Sequence, residues 1–430
     1  MKAEALDLAA HALATPPTRS GPDRCPTTTE LHQAADGLIA RLRVPGGRIT
    51  TAQARVIAEV AAPGDSIELT SRANLQVRGL SAAAASRAVA AFAAAGLTPS
   101  PAHDRARTIV ASPFAGPAVD EFIRALDAAI RALDETQAVS GRVLTVVDDG
   151  RGHALAAEAD LLVVTQDGAD DVRFAVGGLD AGEAPRAEAP QVGADLLGAL
   201  ATACTAAGVW RARELPARAL AALARGTSEP FRAAVGTDTA GLAQSEHAGA
   251  DASAAPAELP VGVVEQPGGR AAVRVLAPLG RLTAAQLTGA ADLAERAGTD
   301  LRIDDRRGLT LADLPPATIA TTTSRTDPGS IRAALLIFGF ITDAADPALG
   351  LTACAGAACA RTEVDVRAAA RLRLVERRPG DGREHLVGCE RRCGAPRDGL
   401  VVVAQPGDSP AQLAARAGTQ SSPTGLEAAR

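Results

Sequence analysis

Apolar and polar positions along the chain form one pattern that occurs twice. In residues 41–80 and again in 274–314, an apolar strand leads into a Pro/Gly turn, an amphipathic helix and a second strand, and the two segments align with one inserted residue. A repeat of this kind indicates a duplicated supersecondary unit. Each unit is small and has open sheet edges, so we expect the two copies to pair about a pseudo-twofold axis.

The helix of each copy is predicted from its cap and its apolar spacing. Thr50 with Gln53, and Thr283 with Gln286, fit the capping box that starts a helix. The apolar residues that follow recur at i, i+3, i+4 and i+7, which places them on one buried face. These residues are Ala54, Ile57, Ala58 and Ala61 in the first copy and Leu287, Ala290, Ala291 and Ala294 in the second.

Helix ends and further elements follow from the same patterns. Gly64 and Gly298 are expected to end the two repeat helices, and further helices are predicted over residues 81–95 and 330–338. The region between the copies alternates strands and helices. Strands are predicted over Arg142–Val147 and Arg173–Val176 and a helical stretch over Leu196–Ala224.

Side chains alternate in polarity along the second strand of the first copy. One parity is apolar and is expected in the core, and the other carries Thr70, Arg72, Asn74, Gln76 and Arg78. A half-exposed strand without any function shows the same alternation, so the pattern alone leaves that interpretation open. The repeat favours function, because Arg306 aligns with Arg72 and has the polar parity in its own strand.

We therefore predict an anion-binding groove. Its candidate substrate-binding residues are Arg72, Asn74, Arg78, Arg107, Arg142 and Arg306. Arg142 precedes a strand that ends in Asp148-Asp149-Gly150, a sequence that is also typical of a simple hairpin turn.

Composition narrows the classes of function. The 430-residue chain has a net charge of -6 and only 2% aromatic residues, which argues against nucleic acid and against a membrane surface as partners. Lys2 is the only lysine, so an anion site must use guanidinium groups, which bind carboxylates bidentately. The N-terminal stretch carries Glu4 and Asp7, and we see no later run of about 18 apolar residues. We expect a cytoplasmic protein.

Four of the six cysteines lie close together near the C-terminus. Cys354 and Cys359 are spaced C-x4-C, and Cys389 and Cys393 are spaced C-x3-C. Two close pairs in small-residue loops indicate a four-thiolate site for an iron–sulfur cluster, and a helix predicted over Arg361–Leu374 adds a favourable dipole. A structural zinc ion, or no metal, are the alternatives. Cys25 and Cys204 are isolated, and we interpret them as inert or buried.

Several sequence segments occur along the chain in a characteristic order. They are SRANLQVRGL, TIVASPFAG, VVDDGRGH, PLGRLTAAQ, GFITD and the two cysteine pairs. In this order they resemble the sulfite and nitrite reductase superfamily and, within it, the precorrin-3B synthases of aerobic cobalamin biosynthesis. The resemblance extends from Asp36 to Pro396.

The resemblance implies an α+β fold with two ferredoxin-like half domains, related by the pseudo-twofold repeat, and two α+β sulfite-reductase-type domains around a central cleft. The implied division is a flexible tail (1–28), half domain 1 (29–100), α+β domain 1 (101–247), a linker (248–258), half domain 2 (259–328), the cluster-binding α+β domain 2 (329–415) and a second tail (416–430). The cluster ligands would be Cys354, Cys359, Cys389 and Cys393.

The resemblance also implies chemistry. It predicts an oxygen-dependent monooxygenase that converts precorrin-3A to precorrin-3B with a 4Fe-4S cluster, a mononuclear iron whose ligands the sequence does not identify, and electrons from NADH or a donor protein. The alternative is a siroheme-dependent sulfite or nitrite reductase, but such enzymes use lysines that this chain lacks. A third hypothesis is a non-catalytic tetrapyrrole-binding protein without a cluster.

Overall fold

The structure, a computed structural model, describes residues 23, 25–63, 66–155, 158–166, 168–226, 257–315, 330–396 and 399–421. Most of the predicted N-terminal tail, most of the predicted linker, Gly64 and residues 422–430 lie outside the described residues.

The first repeat forms a mixed unit of strands and two helices. Its elements are β1 (His32–Ala34), β2 (Gly37–Leu42), β3 (Arg48–Ile49), α1 (Thr51–Ala61), β4 (Ile67–Leu69), β5 (Leu75–Leu80) and α2 (Ala82–Ala94). Thr50 closes the predicted capping box with Gln53, and the predicted apolar face of α1 is buried.

A middle unit follows, with three parallel strands extended by two antiparallel ones. Its elements are β6 (Ile109–Ala111), α3 (Pro117–Ala132), β7 (Thr145–Asp148), β8 (Leu161–Val164), β9 (Asp171–Val176), β10 (Leu179–Pro185), α4 (Ala189–Ala207) and α5 (Ala217–Ala224). The single helical stretch predicted over Leu196–Ala224 is wrong, because Gly208 adopts a left-handed conformation and ends α4.

The second repeat has the same order of elements as the first. Its elements are β11 (Gly262–Gln266), β12 (Arg270–Leu276), β13 (Arg281–Leu282), α6 (Ala284–Ala297), β14 (Leu301–Ile303), β15 (Gly308–Leu314) and α7 (Ile331–Ile337). Thr283 and Gln286 form the predicted capping box, and Gly298 ends α6 as expected, with a φ of 68°.

A C-terminal unit of three parallel strands completes the described chain. Its elements are β16 (Leu351–Ala353), α8 (Val366–Glu376), β17 (Glu384–Val387), β18 (Leu400–Val403) and α9 (Pro410–Ser421). The helix predicted over Arg361–Leu374 begins five residues later, because the Asp365 side chain caps it. The flexible tail predicted from residue 416 is wrong for residues 416–421, which form the end of α9.

The two repeats exchange short strands, which explains why neither stands alone. The first repeat's sheet has the order β1-β2-β5-β4-β13, and the second has β11-β12-β15-β14-β3, so each sheet takes its last strand from the other copy. Arg281 pairs with Glu68 and Arg302 pairs with Arg48, which are equivalent pairs in the repeat alignment. One apolar core spans both copies. The predicted α+β fold with two related half domains is confirmed.

Two features of the sequence, the Asp-Asp-Gly segment and the absence of a later run of about 18 apolar residues, look different in the structure. The Asp148-Asp149-Gly150 sequence does not form a hairpin, because β7 and β8 are parallel, and the Asp148 carboxylate instead accepts N–H bonds from Gly150, Gly152 and Ala154. Within the described ranges, the stretch Ala189–Glu214 is long and apolar enough to span a membrane by length and composition. More than half of its most apolar part, 56%, is buried in the protein, as in a core helix.

Candidate cysteine and arginine site

The four C-terminal cysteines lie in two loops that leave the same edge of the C-terminal sheet. Cys354 directly follows β16, and Cys389 lies two residues after β17. Because these neighbouring strands are parallel, their carboxyl ends meet at one edge, and the loops start side by side. All four cysteines are free thiols. Cys393 is exposed, and the other three are partly buried.

Hydrogen bonds and electrostatics show that the two loops contact each other. The Cys354 Sγ accepts N–H bonds from Gly356 of its own loop and Gly388 of the other, both at 3.3 Å. Burial raises the pKa of Cys354, the two amides lower it, and Cys393 and Cys389 raise it. Burial likewise raises the pKa of Cys393, with further rises from Cys389 and Cys359. The four thiols therefore lie within electrostatic range of one another.

Four cysteine thiolates are the donor type that iron–sulfur clusters and structural zinc ions both use. Among the residues with described positions, no group of three or more His, Cys, Asp or Glu side chains is arranged to hold a metal ion. The Gly356 and Gly388 amides donate to the Cys354 sulfur, and N–H donors of this kind stabilise iron–sulfur thiolates. The iron–sulfur cluster stays a prediction, with zinc as the alternative.

His385 supports the second cysteine loop and is not placed as a ligand. It is fully buried, its Nε2 donates to the Cys393 carbonyl at 3.0 Å, and its Nδ1 lies 2.7 Å from the Thr352 hydroxyl. Burial, together with the charge of Arg307, lowers the pKa of His385 to about 4. The imidazole is therefore neutral near pH 7. Because a carbonyl can only accept, the proton is on Nε2 and Nδ1 accepts from Thr352.

Each half domain supplies one arginine that holds a cysteine loop. Arg78 of the first copy donates to the Ala358 carbonyl at 3.0 Å, next to Cys359, and also binds Asp36. Arg307 of the second copy donates to the Gly394 carbonyl at 2.9 Å, next to Cys393. The cysteine loops are thus positioned by the repeat units as well as by their own sheet.

The polar faces of the two half-domain sheets differ in exposure. In the first sheet Arg41, Gln76 and Arg281 are all partly exposed. In the second, the counterparts of Arg41 and Gln76 are the buried Arg274 and Thr310. The second face is covered because the loop after β6 packs on it. Only the first face, which Arg78 connects to the cysteine loops, has the open arginine character expected of an anion site.

Burial outweighs the nearby carboxylates for several arginines near this face. It lowers the pKa of Arg41, Arg281 and Arg307, and it lowers the pKa of Arg72 to about 10. The Nε atoms of Arg41 and Arg281 are buried and have no hydrogen-bond partner within the part of the chain that the structure describes. A desolvated guanidinium without a partner is costly, so an incoming anion would be stabilised here.

Three of the six predicted substrate-binding residues have partners within the protein. Asn74 is buried and its Oδ1 accepts from the Val44 amide at 3.3 Å, which shapes a turn. Arg107 is buried in an ion pair with Asp127, with Nε to Oδ1 at 2.7 Å. Arg78 holds the cysteine loop. All three side chains make internal contacts, Arg78 with the cysteine loop, and their contact with substrate stays a prediction.

The other three lie at accessible positions. Arg72 is half-buried and donates to the Gly141 carbonyl at 3.1 Å. Arg142 is exposed, with its guanidinium carbon 5.9 Å from the centre of the Trp210 ring. Arg306 is partly exposed at the turn between β14 and β15, where its amide donates to Asp304. Their binding of substrate stays a prediction.

A cavity of about 720 Å³ lies beside Trp210, away from the four cysteines. Cys25 and Cys204 both line it, and burial raises the pKa of Cys204 to about 12. A thiol with so high a pKa stays protonated, which fits the prediction that Cys204 is inert.

Sequence reasoning missed Arg41, Arg281 and Arg307. The alternation rule that identified Arg72 also applies to the strand that contains Arg41, and the repeat alignment links Arg48 to Arg281. No comparable signal marks Arg307, because its role depends on a contact across 87 residues of chain that only the fold creates. His385, four residues before Cys389, is by its position in the sequence more often a surface or supporting residue than a ligand, and its contact with the Cys393 carbonyl is of the supporting kind.

Comparisons with known proteins agree with the fold and with the two related half domains. Residues 32–95 and 263–325 match the family described as the Nitrite/Sulfite reductase ferredoxin-like half domain. No curated protein matches the sequence as a relative. Among solved structures, the NirA protein of Mycobacterium tuberculosis matches with a TM-score of 0.55 and 19% identity, over 88% of this chain and 73% of that chain. The chain therefore contains two nitrite/sulfite reductase ferredoxin-like half domains and has a fold similar to that of NirA.

Proposed function

We propose that this protein is a redox enzyme of the nitrite/sulfite reductase superfamily and, more specifically, an oxygen-dependent precorrin-3B synthase. It would hydroxylate the ring of precorrin-3A, with lactone formation, in aerobic cobalamin biosynthesis. The observation that carries this proposal is the open arginine face of the first half domain beside two contacting cysteine loops. On this face the buried Nε atoms of Arg41 and Arg281 have no hydrogen-bond partner among the described residues.

The four cysteines have the donor chemistry for a 4Fe-4S cluster. Cys354, Cys359, Cys389 and Cys393 would hold it, and when bound it supplies one-electron transfer, which side chains do not provide. Gly356 and Gly388 donate to the first of these thiols, while His385 and Arg307 fix the loop of the last. A mononuclear iron, with ligands not assigned, and electrons from NADH or a donor protein belong to the same proposal.

The arginine face gives the protein a means to bind and orient a polycarboxylate ring. For Arg41, Arg72 and Arg281 the effect of desolvation on the charge is larger than that of the nearby carboxylates. Guanidinium groups bind carboxylates bidentately, and several fixed donors define the orientation of a flat substrate. Arg142, on the exposed side of Trp210, offers a further contact.

The lysine content supports the synthase over a siroheme-dependent reductase. Lys2 is the only lysine of the chain, so the arginines must bind all substrate anions. A metal-free substrate with many carboxylates needs such a surface, whereas siroheme reductases also use lysines around the siroheme and the small anion.

The test is turnover of precorrin-3A with isotopically labelled dioxygen. In a monooxygenase reaction one oxygen atom enters the substrate, and two electrons and two protons reduce the other to water. Anaerobically purified protein should contain about four iron and four sulfide per chain, and the product should carry one labelled oxygen by mass spectrometry. A product without label, or siroheme absorption in the purified protein, would argue for a different activity.

A further inference from the structure

A small cavity of about 250 Å³ lies between the first cysteine loop, α8 and the exchanged strand β13. Three arginines, Arg281, Arg367 and Arg371, line it together with one carboxylate, Asp365, and the small residues Ala355, Ala357 and Ala358. The arginines come from two different units of the fold, and the alanines leave room for a ligand to approach the backbone of the loop.

The charges around this cavity are not balanced. Arg371 is exposed and has no hydrogen-bond or ion-pair partner among the described residues. Arg281 donates one nitrogen to the Ser66 hydroxyl at 2.8 Å, but its Nε is buried without a partner. Arg367 contacts Glu68, and the Asp365 carboxylate is used to cap α8. Three guanidinium groups therefore share the cavity and its rim with two carboxylates, Asp365 and Glu68, which leaves one net positive charge.

The position of the arginines adds to this imbalance. Arg367 and Arg371 are four residues apart on α8, so they lie on one face of the helix, where like charges destabilise it. Arg281 faces them from β13 and is close enough that their charges lower its pKa, after the effect of burial. An anion between the three would relieve both the repulsion and the cost of the buried Nε.

We propose that this cavity is an oxyanion site that binds a single carboxylate or phosphate-type group. Guanidinium forks match the planar or tetrahedral oxygens of such groups. The cavity is smaller than the pockets of about 300–1,000 Å³ that hold drug-sized ligands. The oxyanion is either a free inorganic ion or one carboxylate arm of a tetrapyrrole. The site rests on its own geometry and does not require the proposed activity.

The test is isothermal titration calorimetry of the full chain with inorganic phosphate at fixed ionic strength. Arg371→Gln should weaken binding about tenfold, because it removes one charged hydrogen-bond donor. Ala357→Glu places a carboxylate in the cavity and should abolish binding. Arg371 is exposed on a helix, and Ala357 is exposed on a loop, so both variants should fold, which circular dichroism and thermal melting verify.

Two matched controls separate the site from net charge. Arg296→Gln removes a charge from an exposed position of α6, and Ala360→Glu adds one to the same loop outside the cavity lining. Both should leave the dissociation constant within about twofold. Two results with phosphate count against the proposal: equal affinities of the wild type, Arg371→Gln and Ala357→Glu, or no saturable binding. Either result overturns it, unless uroporphyrin binding is weakened by Arg371→Gln as described next.

A parallel titration with uroporphyrin, a metal-free polycarboxylate tetrapyrrole, identifies the source of the oxyanion. Weaker uroporphyrin binding in Arg371→Gln, with competition by phosphate, assigns the cavity to a carboxylate arm. Phosphate binding that depends on Arg371, with uroporphyrin binding unchanged, assigns it to a free ion. If neither ligand responds to the variants, the cavity is not an oxyanion site. A failed turnover of precorrin-3A beside a positive phosphate result would reject the proposed function alone.

Discussion

The buried arginines of this chain differ in whether an acidic partner in an ion pair compensates for the cost of their desolvation. Arg43 with Asp104, and Arg274 with Asp304, are buried ion pairs with nitrogen–oxygen distances of 2.6 Å. Such pairs stabilise the fold only while both members are present, since removal of one leaves an uncompensated charge. Arg41 and Arg72 are also desolvated, but their strongest electrostatic neighbours include other arginines. This difference separates structural arginines from those available to an anion.

The first prediction concerns Arg72. Arg72→Ala should weaken uroporphyrin binding by about 10- to 100-fold, because it removes a charged donor from the open face. Iron and sulfide contents should not change, since Arg72 does not contact the cysteine loops. Fluorescence titration gives the dissociation constant, and Arg296→Ala on the remote surface of α6 is the control. An unchanged constant in Arg72→Ala would show that Arg72 does not contact the tetrapyrrole.

The second prediction concerns Cys354, the thiol that accepts amide bonds from both loops. Cys354→Ser should reduce iron and acid-labile sulfide from about four each per chain to a small fraction of that value, because a hydroxyl is a poor ligand for iron–sulfur clusters. Cys204→Ser, at a buried thiol outside the site, should leave both contents unchanged. Equal metal contents in Cys354→Ser and the wild type would support the hypothesis of a tetrapyrrole-binding protein without a cluster.

At the scale of elements, the turns at the ends of strands determine which groups reach the site. The turn between β14 and β15 spans Asp304 to Gly308, and Arg307 adopts a positive φ of 61° there. Its repeat counterpart Ala73 has a φ of 52°, so both copies keep the same turn with different side chains. In the second copy the turn directs Arg307 to the cysteine loop.

The same turn leads to a prediction about pH. Burial, with a further effect from Asp304, raises the pKa of Asp305 to about 7, above its ordinary value of 3.8. The folded state then binds more protons than the unfolded state between these values, so this group's contribution to stability is present at low pH and is lost as pH rises through 7. Asp305→Asn removes that loss and should stabilise the protein at pH 8 by at least about 1 kcal/mol.

Thermal melting at several pH values checks this expectation. The melting temperature of Asp305→Asn should exceed that of the wild type at pH 8, and the difference should shrink as pH falls toward 4. Asp300→Asn, at an exposed position before β14, is the matched control and should show a much smaller pH-dependent difference. A constant difference between Asp305→Asn and the wild type from pH 4 to 8 would contradict the raised pKa.

At the scale of the whole molecule, duplication and strand exchange tie the two halves together. β13 completes the first sheet and β3 completes the second, and α1 packs against α6 through Arg55, Asp292 and Glu295. The apolar core is common to both repeats. The cysteine loops belong to the second half, yet Arg78 of the first half holds one of them. The site therefore exists only when both halves are assembled.

This interdependence predicts the behaviour of a split chain. Residues 1–247 and 257–430, expressed separately, should aggregate or be degraded, because each would expose one half of the shared core and an unpaired sheet edge. Expressed together, they should copurify as a complex, measured by affinity tag on one fragment. Two fragments that are each soluble and cooperative in thermal melting would contradict a shared core.

The sequence by itself determined the repeat, the helix caps and the two cysteine pairs. Capping boxes and apolar periodicity depend on residues a few positions apart, so they can be recognised in the sequence alone. It also indicated an arginine face through alternation. The domain boundaries and cofactor ligands inferred from the same patterns stay predictions.

Only the tertiary structure decided which arginines are available. Arg107 is paired with Asp127, and Arg78 binds the cysteine loop. Arg41 and Arg281 instead each have a buried Nε without a hydrogen-bond partner among the described residues. The tertiary structure also determines that β3 and β13 are exchanged between the two sheets. It likewise covers the polar face of the second half-domain sheet and leaves that of the first open. The physical reason is that charge balance and burial depend on partners far apart in the chain, and these partners are known only once the fold has brought them together.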